Sequence, residues 1–301
     1  MLPYVLITPA RNEAALIERP LISVVNQTAR PTRWVIVDDG STDQTAAIVG
    51  QFEERYPWIK LVRCPRRADR SFAAKVLAFN AGYACLTGVE YEIIGNLDAD
   101  VSFDADYLEF LLDRFERDRR LGVAGTFFIE DGYDSSRDSF EGQTHVAGGC
   151  QLFRRQCFEE IGGFIPHPAG GVDWIAVTTA RMKGWKTLAF KEKSFVHHRR
   201  LGTAGRGLLS SMFHTGEKDY FLGKDPLMQL LRVLYRMTKR PIVLGGLALL
   251  AGYTWACVRR RKRPITQELM EFRRREDLTK LSRIVRFTLQ GRKRDKFYLL
   301  D

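Results

Sequence analysis

Two aspartates stand close together at the end of an apolar stretch, in the segment IIGNLDADVSF (93–103). Ile93 and Ile94 begin a predicted core strand, and Asp98 and Asp100 follow that strand at once. Burying one unpaired carboxylate costs several kcal/mol, and a second carboxylate beside it increases the cost. A bound cation would remove this cost. The spacing therefore predicts a cation site where this strand ends.

Two more polar clusters follow predicted strands in the same way. One comprises Pro9, Arg11, Asn12 and Glu13, and the other is Asp38-Asp39-Gly40-Ser41. Taken alone, the second cluster could be a turn with an Asx or Ser helix cap. Ligands of open α/β sheets, however, bind at the carboxyl ends of the strands. Three clusters at one sheet edge therefore indicate a single site.

The elements that must position these residues alternate between strand-like and helix-like runs. The strand-like runs are YVLIT (4–8), RWVIVDD (33–39), WIKLVRC (58–64), YEIIGNLD (91–98) and LGVAGTFFIE (121–130). Amphipathic or aliphatic stretches separate them. Near-continuous apolar strands between helices indicate an α/β fold with a mostly parallel sheet covered on both faces.

Composition limits the class of protein. The chain has 301 residues and a net charge of +11, of which the part from Arg259 to Asp301 carries 15 Lys and Arg against 6 Asp and Glu. Five cysteines without a C-x-x-C pair argue against a disulfide framework or a zinc site and favour a reduced, cytoplasmic location. No basic, cleavable leader follows Met1, so we expect no secretory signal.

At this point the motifs resemble the family-2 glycosyltransferases of the Rossmann-like GT-A fold. TPARNEA resembles the P-x-x-N-E opening of the family, VDDGSTD its nucleotide loop and LDAD its D-x-D metal motif. GGCQLFRR, EEIGGF and GGVDWIAVTTARMKGW resemble the acceptor-side segments in the same order. The resemblance covers roughly residues 1–220. It implies a glycosyltransferase domain over 1–222 and a separate helical tail over 223–301.

The resemblance implies metal-dependent transfer of a sugar, with inversion, from a nucleotide-diphosphate donor to an acceptor hydroxyl. Asp98 and Asp100 would hold Mn²⁺ or Mg²⁺ at the diphosphate, since both ions prefer oxygen ligands. His197 or His198 would add a further ligand, and adjacent strand residues face opposite ways, so we expect only one to do so. The sequence leaves this choice open.

The donor is expected to contact residues from several segments. Asp39, with Asp38 beside it, would accept hydrogen bonds from the base or ribose. The remaining candidates are Pro9, Arg11 and Glu13 in the same pocket and Arg70, Lys75, Arg199 and Arg200 near the diphosphate. Lys75 could also be a solvated helix residue.

Asp173 stands where the family carries its general base, which removes the acceptor proton as the hydroxyl attacks. It precedes a predicted helix with Arg181 and a terminal Gly184. The sequence departs from the usual Glu-Asp pair because Val172 comes before the aspartate. The alternative is that Asp173 only caps the helix.

The tail combines basic and apolar runs. Residues 225–241 form a predicted basic amphipathic helix, and the uncharged segment 242–258 is closed by RRRKR. A bilayer span needs about 20 apolar residues, and basic residues on both flanks disfavour a single span. We therefore expect a segment that dips into or lies along an anionic cytoplasmic leaflet, which makes the enzyme peripheral or monotopic there. The alternative is a buried helix of the globular fold.

A membrane location favours a lipid-linked saccharide or polyprenyl phosphate as acceptor, in polysaccharide or glycolipid synthesis. Processive synthesis is not expected, because the chain lacks a Q-x-x-R-W motif and one apolar segment cannot build a channel. The apolar residues between the basic ones of the tail favour lipid over nucleic acid.

Three other functions fit the sequence less well. A sugar nucleotidyltransferase would need a Gly-rich loop after the first strand, which TPARNEA lacks. In a haloacid-dehalogenase-like phosphatase the D-x-D motif would open the domain, whereas here two other strand–loop clusters come before it. A catalytically inactive, membrane-bound nucleotide-sugar-binding protein would not need all four acids at positions 39, 98, 100 and 173.

Overall fold

The protein is described by a computed structural model, which covers residues 1–66, 72–137, 142–166, 170–199 and 207–289. The strands are β1 (Tyr4–Ala10), β2 (Arg33–Asp38), β3 (Ile59–Arg63), β4 (Ile93–Leu97), β5 (Val101–Ser102), β6 (Leu121–Glu130), β7 (Tyr133–Asp134), β8 (Cys150–Arg154) and β9 (Lys186–His197). The helices are α1 (Glu18–Val25), α2 (Thr45–Arg55), α3 (Phe72–Ala84), α4 (Tyr107–Arg117), α5 (Arg155–Glu160), α6 (Val172–Met182), α7 (Leu208–Phe221), α8 (Pro226–Met237), α9 (Leu244–Val258) and α10 (Gln267–Leu289).

The strands form one mixed sheet in the order β3-β2-β1-β4-β8-β6-β9-β5, with β7 paired to β6. The first four strands pair in parallel, as predicted. The other half differs, because β8 lies antiparallel to both β4 and β6, and β5 lies antiparallel to β9. The prediction of a mostly parallel sheet is therefore correct for β1 to β4 and for the pairing of β6 with β9, whereas β5, β7 and β8 pair in antiparallel fashion. Apolar runs reveal buried strands, but they do not set strand direction.

Both faces of the sheet are covered, which explains why its strands are apolar throughout. Tyr4 and Leu6 of β1 point into one core, and Val5 and Ile7 point into the other. The first core contains buried residues of α1, α2 and α4, and the second contains buried residues of α3, α5 and α6. This alternation with no polar face is typical of strands buried on both sides.

Contacts divide the chain into two compact units, Met1–Arg199 and Arg200–Asp301. The first unit holds the whole sheet and α1 to α6, and the second holds α7 to α10. The division lies before the predicted boundary at residue 222, because α7 packs against α9 and so belongs with the tail. The sequence alone does not show this contact.

The second unit is helical throughout its described part. The apolar segment of the tail forms α9, which has 15 residues and is therefore about 22 Å long. Among the described residues, no helix is both long enough and apolar enough to span a membrane.

Candidate functional site

The two aspartates of the D-x-D motif meet a histidine from the far end of the domain. Asp98 follows β4 directly, and Asp100 precedes β5. Since β5 pairs with β9 and Val101 lies opposite His197, the histidine is brought beside both acids. One ligand atom from each of the three residues lies within 4.8 Å of the others, and His197 Nε2 is 3.5 Å from Asp100 Oδ1.

These three residues fit a divalent cation. Two carboxylates and an imidazole are a donor set suited to Mn²⁺ or Mg²⁺, and Asp100 and His197 are buried. The Nδ1 atom of His197 lies against the backbone carbonyl of Arg199 and 3.8 Å from Glu130 Oε2. Donation from Nδ1 to the Arg199 carbonyl would leave the Nε2 lone pair facing the acids, which is the usual support of a ligating histidine.

His198 has a different partner. Its Nε2 atom is 2.7 Å from the hydroxyl oxygen of Ser102, and its backbone N–H donates to the carbonyl of Asp100. Burial, with a contribution from Arg19, lowers the pKa of His198 below its usual value. The structure therefore brings His197, and not His198, into the acidic cluster.

Lys75 lies between the acids of this site. Its ammonium group donates to Asp98 Oδ1 at 2.5 Å. Burial lowers the pKa of Lys75, but the charges of Asp98, Asp100 and Asp173 outweigh burial and raise that pKa above its usual value. Burial also raises the pKa of Asp98, and Asp100 adds to the rise while Lys75 opposes it. Lys75 is therefore an ion-pair partner of Asp98, with a side chain that is 40% exposed.

Asp173 reaches the same site from the start of α6. The residue that caps this helix is Gly171, which has φ +79°, and no side chain caps it. The side chain of Asp173 lies against Gly148, where an added Cβ would stand 3.0 Å from Asp173 Cβ and 3.2 Å from Oδ2. The alternative that Asp173 is the helix cap is therefore wrong for this structure.

Asn96 connects the metal cluster with the neighbourhood of Asp173. Its side-chain N–H₂ donates to the carbonyl of Gly148 at 2.6 Å and lies 3.4 Å from Asp98 Oδ1. The backbone N–H of Asp98 donates to the carbonyl of Gly149 at 2.9 Å. These bonds tie the end of β4 to the turn against which Asp173 packs.

Arg199 joins the first and last segments of the site. Its guanidinium makes two hydrogen bonds to the carboxylate of Glu13, one of 2.9 Å, and its Nε is 3.7 Å from Asp100 Oδ2. Burial lowers the pKa of Arg199, but the two acids have the larger combined effect and hold that pKa above its usual value. The Nη1 atom of Arg11 lies 3.8 Å from Oδ2 of Asp39.

The loops after β1 and β2 are fastened to each other. Asn12 N–H donates to the Ser41 hydroxyl, Glu13 N–H to the Thr45 hydroxyl and Ala14 N–H to the Asp43 carboxylate. Asp38 accepts the backbone N–H of Ser41 at 3.0 Å and so closes a local turn, whereas the residue that caps α2 is Gln44.

Asp39, beside that turn, is 4% exposed. Pro9 lies inside β1, where it pairs with Val37, and not after the strand as predicted.

Two predicted residues, Arg70 and Arg200, lie outside the described part of the chain. Sequence reasoning also missed three residues that the structure places here, namely Asn96, Glu130 and Gly148. The β6–β9 pairing, with Ile129 opposite Val196, brings Glu130 to His197. Nothing in the local sequence signals that pairing, whereas Asn96, a polar residue inside an apolar strand, could have been noticed.

Comparisons with known proteins agree with this geometry. Residues 5–169, more than half of the chain, match the family described as glycosyl transferase family 2. An uncharacterized glycosyltransferase of Nostoc sp. is 33% identical over 127 residues, which cover 42% of this chain and 37% of that protein. A beta-monoglucosyldiacylglycerol synthase of Synechocystis sp. is 31% identical over 180 residues, which cover 53% of this chain and 36% of the synthase. The chain thus spans little more than a third of these relatives.

A solved structure shares the fold. The mannosyltransferase of Pyrobaculum calidifontis, determined with GDP-Man and Mn²⁺, superposes with a TM-score of 0.55 at 19% identity, over 99% of this chain and 85% of that one. At this identity the likeness concerns the fold alone. From the family match and the shared fold, the chain belongs to glycosyl transferase family 2 and has the GT-A fold.

Proposed function

We propose that the protein transfers a sugar from a nucleotide-diphosphate donor to an acceptor hydroxyl, with inversion and one sugar at a time. The observation that carries this proposal is the cluster of Asp98, Asp100 and His197, which Asn96 links to Gly148, the residue against which Asp173 packs. A cation cluster and a separate carboxylate therefore share one site. Such a site can neutralise a leaving diphosphate and accept a proton from an attacking hydroxyl.

Asp98, Asp100 and His197 would hold the metal ion. When bound, Mn²⁺ or Mg²⁺ would offset the negative charge that develops on the leaving diphosphate. The Arg199 carbonyl would keep His197 oriented through Nδ1, and Glu130 Oε2 lies 3.8 Å from the same atom. Lys75 adds a second positive charge beside Asp98.

The donor would lie along the fastened loops after β1 and β2. Asp39 and Asp38 would accept hydrogen bonds from the base or ribose, and Pro9, Arg11 and Glu13 would form the wall beside them. Arg199, together with Arg70 and Arg200, would hold the diphosphate, because guanidinium groups pair well with phosphate oxygens. The Arg199 contacts to Glu13 and Asp100 keep one of these cations at the edge of the cluster.

Asp173 would act as the general base. Its position in the first turn of α6 and its contact with Gly148 would restrict the carboxylate to one place, as proton transfer requires. The acceptor hydroxyl would approach between Asp173 and the donor, from the face opposite the leaving group. Val172 replaces the second acid of the family pair, so Asp173 would work without an adjacent carboxylate.

The acceptor would be a lipid-linked saccharide or a polyprenyl phosphate at the inner face of an anionic membrane, in glycolipid or polysaccharide synthesis. Two observations support this part of the proposal. One relative is a beta-monoglucosyldiacylglycerol synthase. The chain from Arg259 to Asp301 carries 15 Lys and Arg against 6 Asp and Glu, which favours anionic lipid.

Donor titration tests the proposal directly. Purified protein is titrated calorimetrically with a panel of UDP- and GDP-sugars in Mn²⁺, in Mg²⁺ and in EDTA. We expect one donor to bind in the presence of metal and to lose most of its affinity in EDTA. Asp100→Asn should lower metal-dependent turnover by about 10²–10³-fold, because the metal supplies several kcal/mol of charge stabilisation.

Asp113→Asn is the matched control, since this carboxylate of α4 pairs with solvent-exposed Arg117 one helical turn away. It should behave like the wild type. Turnover that is unchanged in EDTA, or a panel in which no nucleotide sugar binds, contradicts the proposal.

A further inference from the structure

Helix α8 turns its leucines outward. Leu227, Leu230 and Leu234 follow one another at helical spacing on one face, and they are 49%, 48% and 52% exposed. The buried side is mixed, because it holds Met228 and Val233 together with Gln229, which is 1% exposed. A surface helix of a water-soluble domain usually keeps its apolar stripe toward the core, whereas α8 leaves three leucines outside.

The interior of the second unit is correspondingly rich in charge. Arg232 of α8 donates to Asp219 of α7 at 2.7 Å, and the side chain of Asp219 is 3% exposed. Arg273 of α10 is buried and donates to the carbonyl of Leu222. Since buried charges need partners, the bond to Asp219 explains why Arg232 lies on the inward side of α8.

Helix α9 repeats the pattern. Its exposed side chains Leu244, Leu247, Trp255 and Val258 are separated by three, eight and three residues, which is close to whole helical turns, and so they share one face. On the other face, a Cβ added to Gly252 would overlap the carbonyl oxygen of Phe213 in α7. The two helices therefore pack through backbone contact, the mode used where burial of leucine supplies no driving force.

The charges beside these faces select the partner. From Pro226 to Thr266 the chain has nine Lys and Arg and no Asp or Glu. Two copies pressed together by these faces would bring like charges close, whereas an anionic lipid surface would attract them. The ring of Trp255 at the end of α9 lies under the guanidinium of Arg259, 4.1 Å from its centroid. Trp and Arg side chains are typical at the headgroup level of a membrane.

We propose that these exposed side chains of α8 and α9, the leucine face, insert into one leaflet of an anionic membrane. The leucine face comprises Leu227, Leu230, Leu234, Leu244, Leu247, Trp255 and Val258. The inference deepens the proposed lipid-linked acceptor, because it names the part of the chain that contacts lipid. It differs from purely electrostatic adsorption of a basic tail, since here leucine side chains enter the acyl region while the basic residues beside them stay at the headgroups.

The test is flotation of the full chain with vesicles. One set contains phosphatidylcholine and phosphatidylglycerol at roughly 7:3, and the other contains phosphatidylcholine alone. We expect the wild type to bind the anionic set strongly and to retain part of this binding in about 0.5 M salt, where charge attraction is screened. The variant Leu227→Gln/Leu230→Gln/Leu234→Gln should lose binding by about tenfold or more, because it removes inserted apolar area.

A matched variant separates position from composition. Ile22→Gln/Leu77→Gln/Ile165→Gln changes three similarly exposed apolar residues of the first unit, which are 47%, 44% and 44% exposed, and should bind vesicles like the wild type. Circular dichroism should show that both variants are folded, as expected for exposed positions.

Three results would overturn the inference. They are unchanged vesicle binding by the α8 variant, complete release of the wild type by salt, or a wild-type dimer that this variant converts to a monomer. Nucleotide-sugar binding in the first unit is measured in parallel. Its absence in a protein that still inserts would contradict the proposed function alone.

Discussion

The two units of the chain bury polar side chains for different reasons. In the first unit the buried acids and His197 gather where the strands end, and the two cores of the sheet are apolar. In the second unit buried polar residues are spread over the helices among buried apolar ones, as Glu217, Asp219, Gln229 and Arg273 show, while several leucines of α8 and α9 are exposed. Concentrated buried charge indicates a ligand site, whereas a patch of exposed leucines indicates an interaction surface.

The contrast has an energetic side. A buried ion pair rarely stabilises a protein more than apolar residues of the same volume would. The first unit can offset the cost of its buried acids with the cation and the donor that they would bind. In the second unit the buried charge of Asp219 is already paired with Arg232. We therefore expect a ligand or partner to stabilise this unit through the leucine face and not through its buried charges.

The largest effect is expected at Asp173. Asp173→Asn should leave donor affinity close to that of the wild type and lower turnover by about 10²-fold or more, the usual scale for loss of a general base. Calorimetry with the donor and steady-state kinetics measure the two quantities. Glu159→Gln, at an exposed carboxylate paired with Arg155, serves as the control. If donor affinity falls in step with turnover, Asp173 is a binding residue, and the assignment of separate roles within the first unit fails.

The ion pair of the second unit comes next. Asp219→Leu should lower the free energy of unfolding by about 2–3 kcal/mol, because it removes one charge of a largely buried pair. Adding Arg232→Leu should recover most of this loss, since an apolar pair can replace an ionic one. Urea denaturation measures both variants.

The exposed pair of Arg114 and Glu192 provides the control, and Glu192→Ala should change stability by less than about 1 kcal/mol. If Asp219→Leu is equally mild, the charged interior of the second unit has little energetic weight, and the contrast between the units weakens.

A smaller effect is expected where Gly148 meets Asp173. In Gly148→Ala the new Cβ would stand 3.0 Å from Asp173 Cβ, so the carboxylate must move by a few tenths of an ångström. We expect kcat to fall about tenfold with the KM for donor unchanged, since small displacements of a catalytic group are costly. Gly50→Ala on α2 is the control, because nothing lies within 4 Å of its Cβ position. An equal fall in both variants would mean that Gly148 does not position Asp173.

The smallest effect concerns the loop junction at Asp43. Partial burial raises the pKa of Asp43, but hydrogen bonds from the Thr45 hydroxyl and from the backbone N–H groups of Ala14 and Thr45 hold that pKa below its usual value. A lowered pKa in the folded state adds stability above the unfolded pKa of about 3.9 and loses it as the pH falls through the folded value.

Asp43→Asn should therefore lower the free energy of unfolding by about 0.5 kcal/mol at neutral pH, a small figure because this side chain is exposed. The difference from the wild type should stay constant from pH 7 to about 5 and shrink below about 4. Denaturation at several pH values measures it. A difference that grows on acidification would contradict the assigned hydrogen bonds.

The sequence determined much of the first unit by itself. Apolar runs that end in Asp38-Asp39 and in Asp98 mark β2 and β4, because only strands buried on both faces need to be apolar at every position. Since parallel strands end at the same edge of a sheet, the sequence also predicts that these acids lie at one edge. The order of short motifs between residues 5 and 169 was sufficient to identify the family.

Tertiary structure decided the rest, because it depends on contacts between distant segments. The antiparallel pairing of β5 with β9 selects His197 over His198, and the pairing of β6 with β9 adds Glu130. In the tail, periodicity shows that α8 has a basic face and an apolar face, but it cannot say which one turns inward. Arg232 pairs with Asp219 of α7 and therefore lies toward the interior. In this orientation Leu227, Leu230 and Leu234 are exposed.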